Sequence, residues 1–154
     1  DIRNQPAYRF PLMELLIVMV ILSILASAIL PLSRMAVKRS RELELMQNLR
    51  IIRSALDEYK RYVDEGKIFQ GPADSGYPKS LEILVEGVEL PGPVPVKKKF
   101  LRRIPKDPMT KEGEWGLRSY FDEPDSTIWG KEDVYDIYSQ STEISLDGTP
   151  YSTW

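Results

Sequence analysis

Cysteine and histidine are both absent from this chain of 154 residues. Without cysteine there are no disulfides, thiolate nucleophiles or cysteine zinc sites, and without histidine there are no imidazole acid–base pairs or histidine-liganded haems. Paired carboxylates remain as possible catalysts, as in glycoside hydrolysis. Acidic residues at this density, 23 in the chain, are more typical of a solvated surface. We therefore expect a protein that is not an enzyme and binds no cofactor.

Charge is absent from the residues between Leu15 and Leu30, inside an apolar block that begins at Phe10. As a helix, Leu12–Leu30 would be about 28 Å long, close to the roughly 30 Å of hydrocarbon in a bilayer. Secretory signals have a shorter apolar core that is followed by a cleavage site of small residues. No such cleavage site follows this block. Glu14 lies at its edge, and a carboxylate in such a segment typically marks a functional contact. The block predicts one membrane-spanning helix with Glu14 as its functional residue.

Glycine is absent before Gly66, and proline is absent between Pro31 and Pro72, so nothing interrupts a helix from Leu32 to Glu65. Pro31 removes a backbone donor and clashes with the preceding turn, which predicts a kink or a melted turn there. Beyond it, apolar residues recur at steps of four and three and form a stripe that should pack on the rest of the chain: Leu45, Leu49, Ile52, Leu56, Tyr59 and Val63. Charged residues on the other side are spaced to pair weakly: Arg53, Asp57 and Arg61.

All nine glycines and nine of the twelve prolines lie after residue 65, so residues 66–154 should form a globular head. Ser80 is the expected N-cap of a short helix, Leu81–Val85, that ends near Gly87. An extended loop is expected at three closely spaced prolines, Pro91, Pro93 and Pro95.

Two segments, Trp115–Phe121 and Val134–Ser139, have the composition of strands and flank an acid-rich connection, Asp122–Asp133. An antiparallel sheet of two or three strands is marginal alone, so it should pack on the long helix. The predicted fold class is α+β, with a long N-terminal helix packed on a small antiparallel head.

Charge is unevenly divided within that head. Residues 97–106 carry six basic side chains and no acid, whereas residues 107–154 carry three basic and eleven acidic ones, a net charge of −8. Beside three prolines, such a basic run is typical of a solvated loop, with attraction between subunits as the second interpretation. We expect no nucleic-acid binding.

The start of the apolar block, Phe10-Pro11-Leu12-Met13-Glu14-Leu15-Leu16-Ile17-Val18, resembles the F-T-L-x-E-L-L-x-V start of type IV pilin-like proteins. Pro31 lies where that family has a proline. Three later segments look like the major pseudopilins of type II secretion systems: Tyr77-Pro78, Ile104-Pro105-Lys106-Asp107-Pro108 and Asp136-Ile137-Tyr138-Ser139. The resemblance covers nearly the whole chain and implies a pilin-like fold.

In that family a prepilin peptidase cleaves before the phenylalanine, the new amine is methylated, and the glutamate pairs with the amine of a neighbouring subunit. Carried over, Arg9 and Phe10 flank the site of processing and N-methylation, and Phe10, Glu14 and Pro31 serve assembly. Small residues that allow close helix approach agree with this: Ser23, Ala26, Ser27 and Ala28.

The resemblance also implies the domain order: 1–9 as a leader or its remnant, 10–32 as a transmembrane and filament-core helix, 33–65 as an amphipathic helix and 66–154 as the periplasmic α+β head. The protein would be a structural subunit of a secretion pseudopilus, a helical homo-oligomer that supports export of folded proteins across the outer membrane. Its partners would be other pseudopilins, inner-membrane secretion assembly proteins and the prepilin peptidase.

Two residues depart from the family's pattern, since Arg9 replaces a glycine and Pro11 a threonine. Arginine adds bulk and charge at the scissile bond and proline restricts its backbone, so either the leader is retained or these positions have been altered. We expect poor cleavage of the chain as written.

Basic residues flank the apolar block on both sides, so they do not agree on the orientation of the helix in the membrane. Basic residues after the apolar block favour a cytoplasmic C-terminal side: Arg34, Lys38, Arg39 and Arg41. Arg3 and Arg9 oppose them on the other side. The resemblance implies a single-pass protein of the bacterial inner membrane with its head in the periplasm.

Many major pseudopilins bind calcium in the loop after their Asp-Ile-Tyr-Ser-like strand, with carboxylate and carbonyl ligands. The candidates here are Glu143 and Asp147, although Asp147-Gly148 is equally consistent with a turn. Two further functions remain open: a subunit of a type IV pilus or competence pilus, and a monomeric membrane-anchored binding module that retains residues 1–9.

Overall fold

The computed structural model describes residues 11–154, apart from the side chain of Leu30. Its first element is one continuous α-helix, α1, Pro11–Asp64. The helix passes through Pro31 without interruption, so the melted turn predicted there is wrong, whereas the kink stays a prediction. Proline at residue 11 suits the first helical position, where a backbone N–H would have no partner within the helix.

The chain divides into two compact units, residues 1–38 and 39–154. In the second unit, the predicted stripe on α1 forms the centre of the core. Its first five members are almost completely buried, and Val63 packs against them at the edge: Leu45, Leu49, Ile52, Leu56, Tyr59 and Val63. Because full burial of one leucine or isoleucine contributes about 1.5–3 kcal/mol, this stripe is a principal source of the head's stability.

Helix α1 ends at Asp64, one residue before its predicted end at Glu65 and two before the first glycine of the chain. Gly66 has a φ of +70°, the left-handed conformation that favours glycine. The amides of residues 65, 66 and 67 donate to the carbonyls of Arg61, Val63 and Tyr62 at 2.9 Å each, so the last turn keeps its hydrogen bonds. Ile68 then returns the chain to the core.

A short helix, α2, Glu82–Glu86, follows within one residue of its predicted bounds. The predicted N-cap is wrong, because Leu81 occupies that position and no side chain caps the helix. Gly87 ends it with a φ of +87°, and a Cβ at this position would lie 2.7 Å from the carbonyl oxygen of Lys98. Only glycine therefore fits between α2 and the following hairpin.

That hairpin consists of β1, Val88–Leu90, and β2, Val96–Lys98, paired antiparallel around the three-proline loop. The sequence predicted the loop but not its strands, which have three residues each and little alternation of apolar and polar side chains. Strands β3, Trp115–Arg118, and β4, Asp136–Ser139, form a second antiparallel pair. The described residues thus contain two separate two-stranded sheets instead of the single sheet expected.

The strands β3 and β4 are shorter than predicted because residues after Arg118 turn away from the ladder. The amide of Ser119 donates to the carboxylate of Asp122 at 2.7 Å, and that of Tyr120 donates to Asp133 at 2.9 Å. Side-chain acceptors have replaced the strand partners of these amides. The α+β layout is confirmed by this order of helix and small sheets.

Candidate assembly surface

The first unit presents a long apolar surface that nothing in the described chain covers. From Leu12 to Val37, the large apolar side chains that the structure describes are about half or more exposed. By length and composition α1 could span a membrane, since its most apolar 18 residues have a mean hydropathy of 2.9 and none of them is buried. An apolar surface of this length is typical of a segment covered by lipid or by other protein.

Two serines within this surface, Ser23 and Ser27, form hydrogen bonds to the backbone of their own helix. The hydroxyl of Ser23 donates to the carbonyl of Met19 and that of Ser27 donates to the carbonyl of Ile24, both at 2.7 Å. Neither hydroxyl therefore needs a water molecule or an external partner. Both serines can face lipid or a second apolar helix without an unpaired donor.

Glu14 lies in the first turn of α1 and Pro31 lies within the same helix. They are 17 positions apart, about 25 Å along the helix, so the two predicted assembly residues do not form one site within a chain. A carboxylate in the first turn is stabilised by the positive end of the helix dipole. Arg9 and Phe10, the predicted processing residues, lie outside the described residues together with the rest of the leader 1–9.

Of the two predicted calcium candidates, Asp147 lies in a tight turn near the end of the second unit, at residues 145–149. Glu143 lies before this turn, and its amide donates to the hydroxyl of Ser141 at 3.2 Å. The carboxylate of Asp147 accepts hydrogen bonds from the hydroxyl of Ser145 and from both the amide and the hydroxyl of Thr149, at 3.0 and 2.7 Å for the latter two. These bonds lower the pKa of Asp147 to about 2. Among residues 11–154, no group of three acidic side chains comes together that could hold a metal ion. Asp147 organises a turn, and calcium binding stays a prediction.

A buried carboxylate that the sequence reasoning missed ties α1 to this turn. Glu42 is 1% exposed, and its Oε1 accepts a hydrogen bond from the amide of Leu146 at 2.7 Å and one from the hydroxyl of Tyr151 at 2.9 Å. Arg39 lies 3.6 Å from its other oxygen. Helical spacing could have indicated this burial, because Glu42 precedes Leu45 by three residues and so lies on the same face of α1 as the buried stripe.

Arg53 also has a role different from the predicted one. Its guanidinium donates to the carboxylate of Asp136 at 2.8 and 3.3 Å and to the carbonyls of Ile137 and Trp154 at 3.2 and 2.8 Å. The expected weak pairing with Asp57 along the helix is therefore wrong. Arg53 instead joins α1 to β4 and to the 3₁₀ turn at Tyr151–Thr153.

The basic run of residues 97–106 divides into two parts. The ammonium of Lys98 is 2.9 Å from the carboxylate of Glu58 and lies over the rings of Tyr62 and Phe100, so this lysine packs partly buried against the head. Arg102, Arg103 and Lys106 line an open groove of about 740 Å³ between α1 residues 44–51 and residues 100–106. We call it the basic groove.

The wall of the basic groove is held in place by backbone contacts. The amides of Phe100 and Leu101 both donate to the carbonyl of Leu84 at 2.9 Å. Asn48 donates to the carbonyl of Lys106 at 3.0 Å, and the indole of Trp115 donates to the carbonyl of Pro105 at 2.7 Å. These bonds fix the backbone that carries the three cationic side chains.

A second charged surface is the connection between β3 and β4, residues 119–133, which we call the acidic loop. It contains five acidic residues and one lysine, a net charge of −4. Asp122 organises it by accepting hydrogen bonds from the amides of Ser119 and Gly130 at 2.7 and 3.0 Å, and these bonds lower its pKa. The indole of Trp129 donates to the carbonyl of Asp133 at 2.8 Å. Phe121 and Ile128 nevertheless stand 73% and 80% exposed on this ordered loop.

The comparisons with known proteins leave the family of this chain as a prediction. Compared with protein-family models, with curated proteins and with solved structures, the chain gives no significant match.

Proposed function

We propose that this protein is a structural, non-enzymatic filament subunit of the pseudopilin class. It is anchored in the bacterial inner membrane by the apolar part of α1, with its head in the periplasm, and it polymerises through that helix to support export of folded proteins by a type II secretion system. The observation that carries the proposal is the exposed apolar surface of residues 12–37 with a single carboxylate, Glu14, in the first turn.

The physical argument begins with what must cover that surface. Lipid covers it in the membrane, and only other apolar helices can cover it if the subunit leaves the bilayer. A carboxylate costs up to about 3 kcal/mol at the bilayer centre and less near the edge, so membrane insertion alone gives no reason for Glu14. Pairing with a cation of a neighbouring subunit would explain why a carboxylate is present at Glu14. The amine created by cleavage before Phe10 would be that cation.

Electron microscopy of membranes that overproduce the full chain tests this proposal. We expect filaments from the chain that carries Arg9→Gly and Pro11→Thr, in which processing should be restored, and few or none when Glu14→Ala is added to it. Insertion should not suffer, because removing the charge lowers the cost of residence in lipid. Met13→Ala, a change of similar size in the same helical turn, is the matched control and should keep filaments. Normal filament yield from Glu14→Ala would overturn the role of Glu14.

A second function is favoured by Arg9 and Pro11, which depart from the pattern at the processing site. A chain that keeps residues 1–9 would remain a monomeric membrane-anchored binding module. Detergent extraction distinguishes the two, since a module would be monomeric and would begin before Phe10. A type IV or competence pilus subunit would also form filaments, and only loss of secretion, motility or DNA uptake on deletion separates it from a pseudopilin.

A further inference from the structure

We propose that the basic groove of one head receives the acidic loop of a second copy of this chain. The inference rests on the proposed function, because it names the contact between heads in a filament whose helices form the core. It is carried by surfaces in residues 39–154, independently of Glu14.

The first observation is that the groove presents cations without internal partners. Among the described residues, Arg102, Arg103 and Lys106 are exposed and take part in no ion pair. Ile51 and Ile104 also line the groove, so its lining is partly apolar, and Glu44 is its one acidic residue against three cations. At about 740 Å³ the groove is as large as a typical ligand pocket, which gives room for more than one side chain.

The second observation is that the acidic loop has the complementary composition. Glu123, Asp125 and Glu132 are exposed and form no ion pair within the described chain, and the same loop exposes the large apolar side chains of Phe121 and Ile128. Apolar side chains this exposed on a loop fixed by internal hydrogen bonds are typical of a docking surface. Because the loop is already ordered, little conformational entropy is lost when it binds.

The third observation concerns symmetry. The basic groove and the acidic loop share no residue, so one copy can offer its loop to one neighbour while its groove receives the loop of another. Such a head-to-tail contact is heterologous, and when its rotation does not close a ring it produces an open helical filament. Helices that already associate raise the effective concentration of the heads, so a weak ionic contact suffices.

Cysteine cross-linking tests the contact in the full-length protein that carries Arg9→Gly and Pro11→Thr, the background in which we expect filaments, because the chain has no cysteine of its own. A copy with Arg103→Cys and Asp125→Cys can form disulfides between copies only where the two Cα atoms approach within about 7 Å. We expect a ladder of dimers and higher oligomers on oxidation of membranes that contain filaments. Lys111→Cys with Asp125→Cys is the matched control, since Lys111 is exposed and lies outside the groove.

Charge exchange provides the second readout. We expect Arg102→Glu with Arg103→Glu to reduce filament yield about fivefold at low salt, and Glu123→Lys with Asp125→Lys to do the same. All four changes in one chain should restore filaments, because the contact is then re-formed with its signs exchanged. High salt should reduce the difference between the variants, since exposed charges are screened beyond about 8 Å at physiological ionic strength.

The outcomes separate the two proposals. Filaments whose Arg103/Asp125 cysteine pair cross-links no better than the control would overturn the head contact and leave the filament function standing. Disulfide ladders in membranes without filaments would support the contact and overturn the filament. Loss of filaments from the groove variant but not from the loop variant would show that the groove meets a different acidic surface, which overturns the assignment to residues 119–133.

Discussion

The hydroxyl of Tyr151 donates a hydrogen bond to Oε1 of Glu42 at 2.9 Å, joining residues 109 positions apart. The oxygen that accepts it also accepts the amide of Leu146 at 2.7 Å, so one buried carboxylate oxygen holds the last turn of the head against α1. Burial and the adjacent carboxylate together raise the pKa of Tyr151 well above its usual range, which keeps its hydroxyl available as a donor.

Glu42→Ala should therefore lower the free energy of unfolding of the head by about 1–3 kcal/mol, since it leaves the buried hydroxyl of Tyr151 and the amide of Leu146 without their acceptor. Glu42→Gln keeps an acceptor oxygen and should cost less. Urea denaturation followed by circular dichroism measures the difference. The exposed neighbour change Glu44→Ala should stay within about 0.5 kcal/mol of the unmodified protein. An equal loss from Glu42→Ala and Glu44→Ala would contradict the anchoring role.

The turn that Asp147 organises should lose stability at low pH. Its pKa is lowered from the ordinary 3.8 to about 2 by hydrogen bonds from Ser145 and Thr149. A lowered folded-state pKa contributes stability above pH 3.8 that is lost as the pH falls through about 2. We expect Asp147→Asn to remove part of the decline in stability between pH 4 and pH 2. Thr142→Val, an exposed change outside the turn, is the control and should leave that decline intact, as urea titrations at several pH values will report.

Gly116 should tolerate no side chain. A Cβ there would lie 2.2 Å from Cζ of Tyr138, its partner across the β3–β4 pair, and the tyrosine ring is also held by the guanidinium of Arg118 at 4.1 Å. Gly116→Ala forces the ring out of place and should cost about 1–3 kcal/mol in thermal unfolding. Gly92→Ala, where the nearest atom to a new Cβ is 3.7 Å away, is the matched control. Equal melting temperatures for the two variants would contradict this packing.

Arg9 and Pro11 predict a processing defect. We expect the chain as written to be cleaved poorly before Phe10 and to assemble poorly, and Arg9→Gly with Pro11→Thr to restore both. Cleavage would create an amine with an ordinary pKa near 8, which is largely protonated at neutral pH and able to neutralise a neighbour's Glu14. Intact-mass measurement of membrane-extracted protein decides the question. A chain that begins at Phe10 in most unmodified molecules would show that Arg9 does not block the peptidase.

The long helix and its buried stripe were predictable because both follow from local pattern: the absence of glycine up to Gly66 and the spacing from Leu45 to Val63. The α2 helix and the positions of β3 and β4 were predictable for the same reason. The Ser80 cap was not, because Leu81 takes the capping position and only the tertiary arrangement decides which residue does so.

The hairpin β1–β2 and the contacts of Arg53 lay beyond sequence reasoning, because both depend on partners far along the chain. Arg53 reaches Asp136 across 83 positions, a pairing that helical spacing cannot suggest. At the candidate site, sequence composition predicted two opposite charged regions in the head. It did not predict that Lys98 would form an ion pair with Glu58. It also did not predict that Phe121 and Ile128 would be exposed on a loop held by internal hydrogen bonds.

The bond between Glu42 and Tyr151 also determines when the head can fold during synthesis. Ribosomes add about 5–20 residues per second, so residue 151 is made on the order of 10 s after residue 42. Until then the buried stripe of α1 has no complete cover and the carboxylate of Glu42 has neither of its two distant donors. The nascent head therefore emerges with an apolar helix face that stays uncovered until residues 134–151 are made.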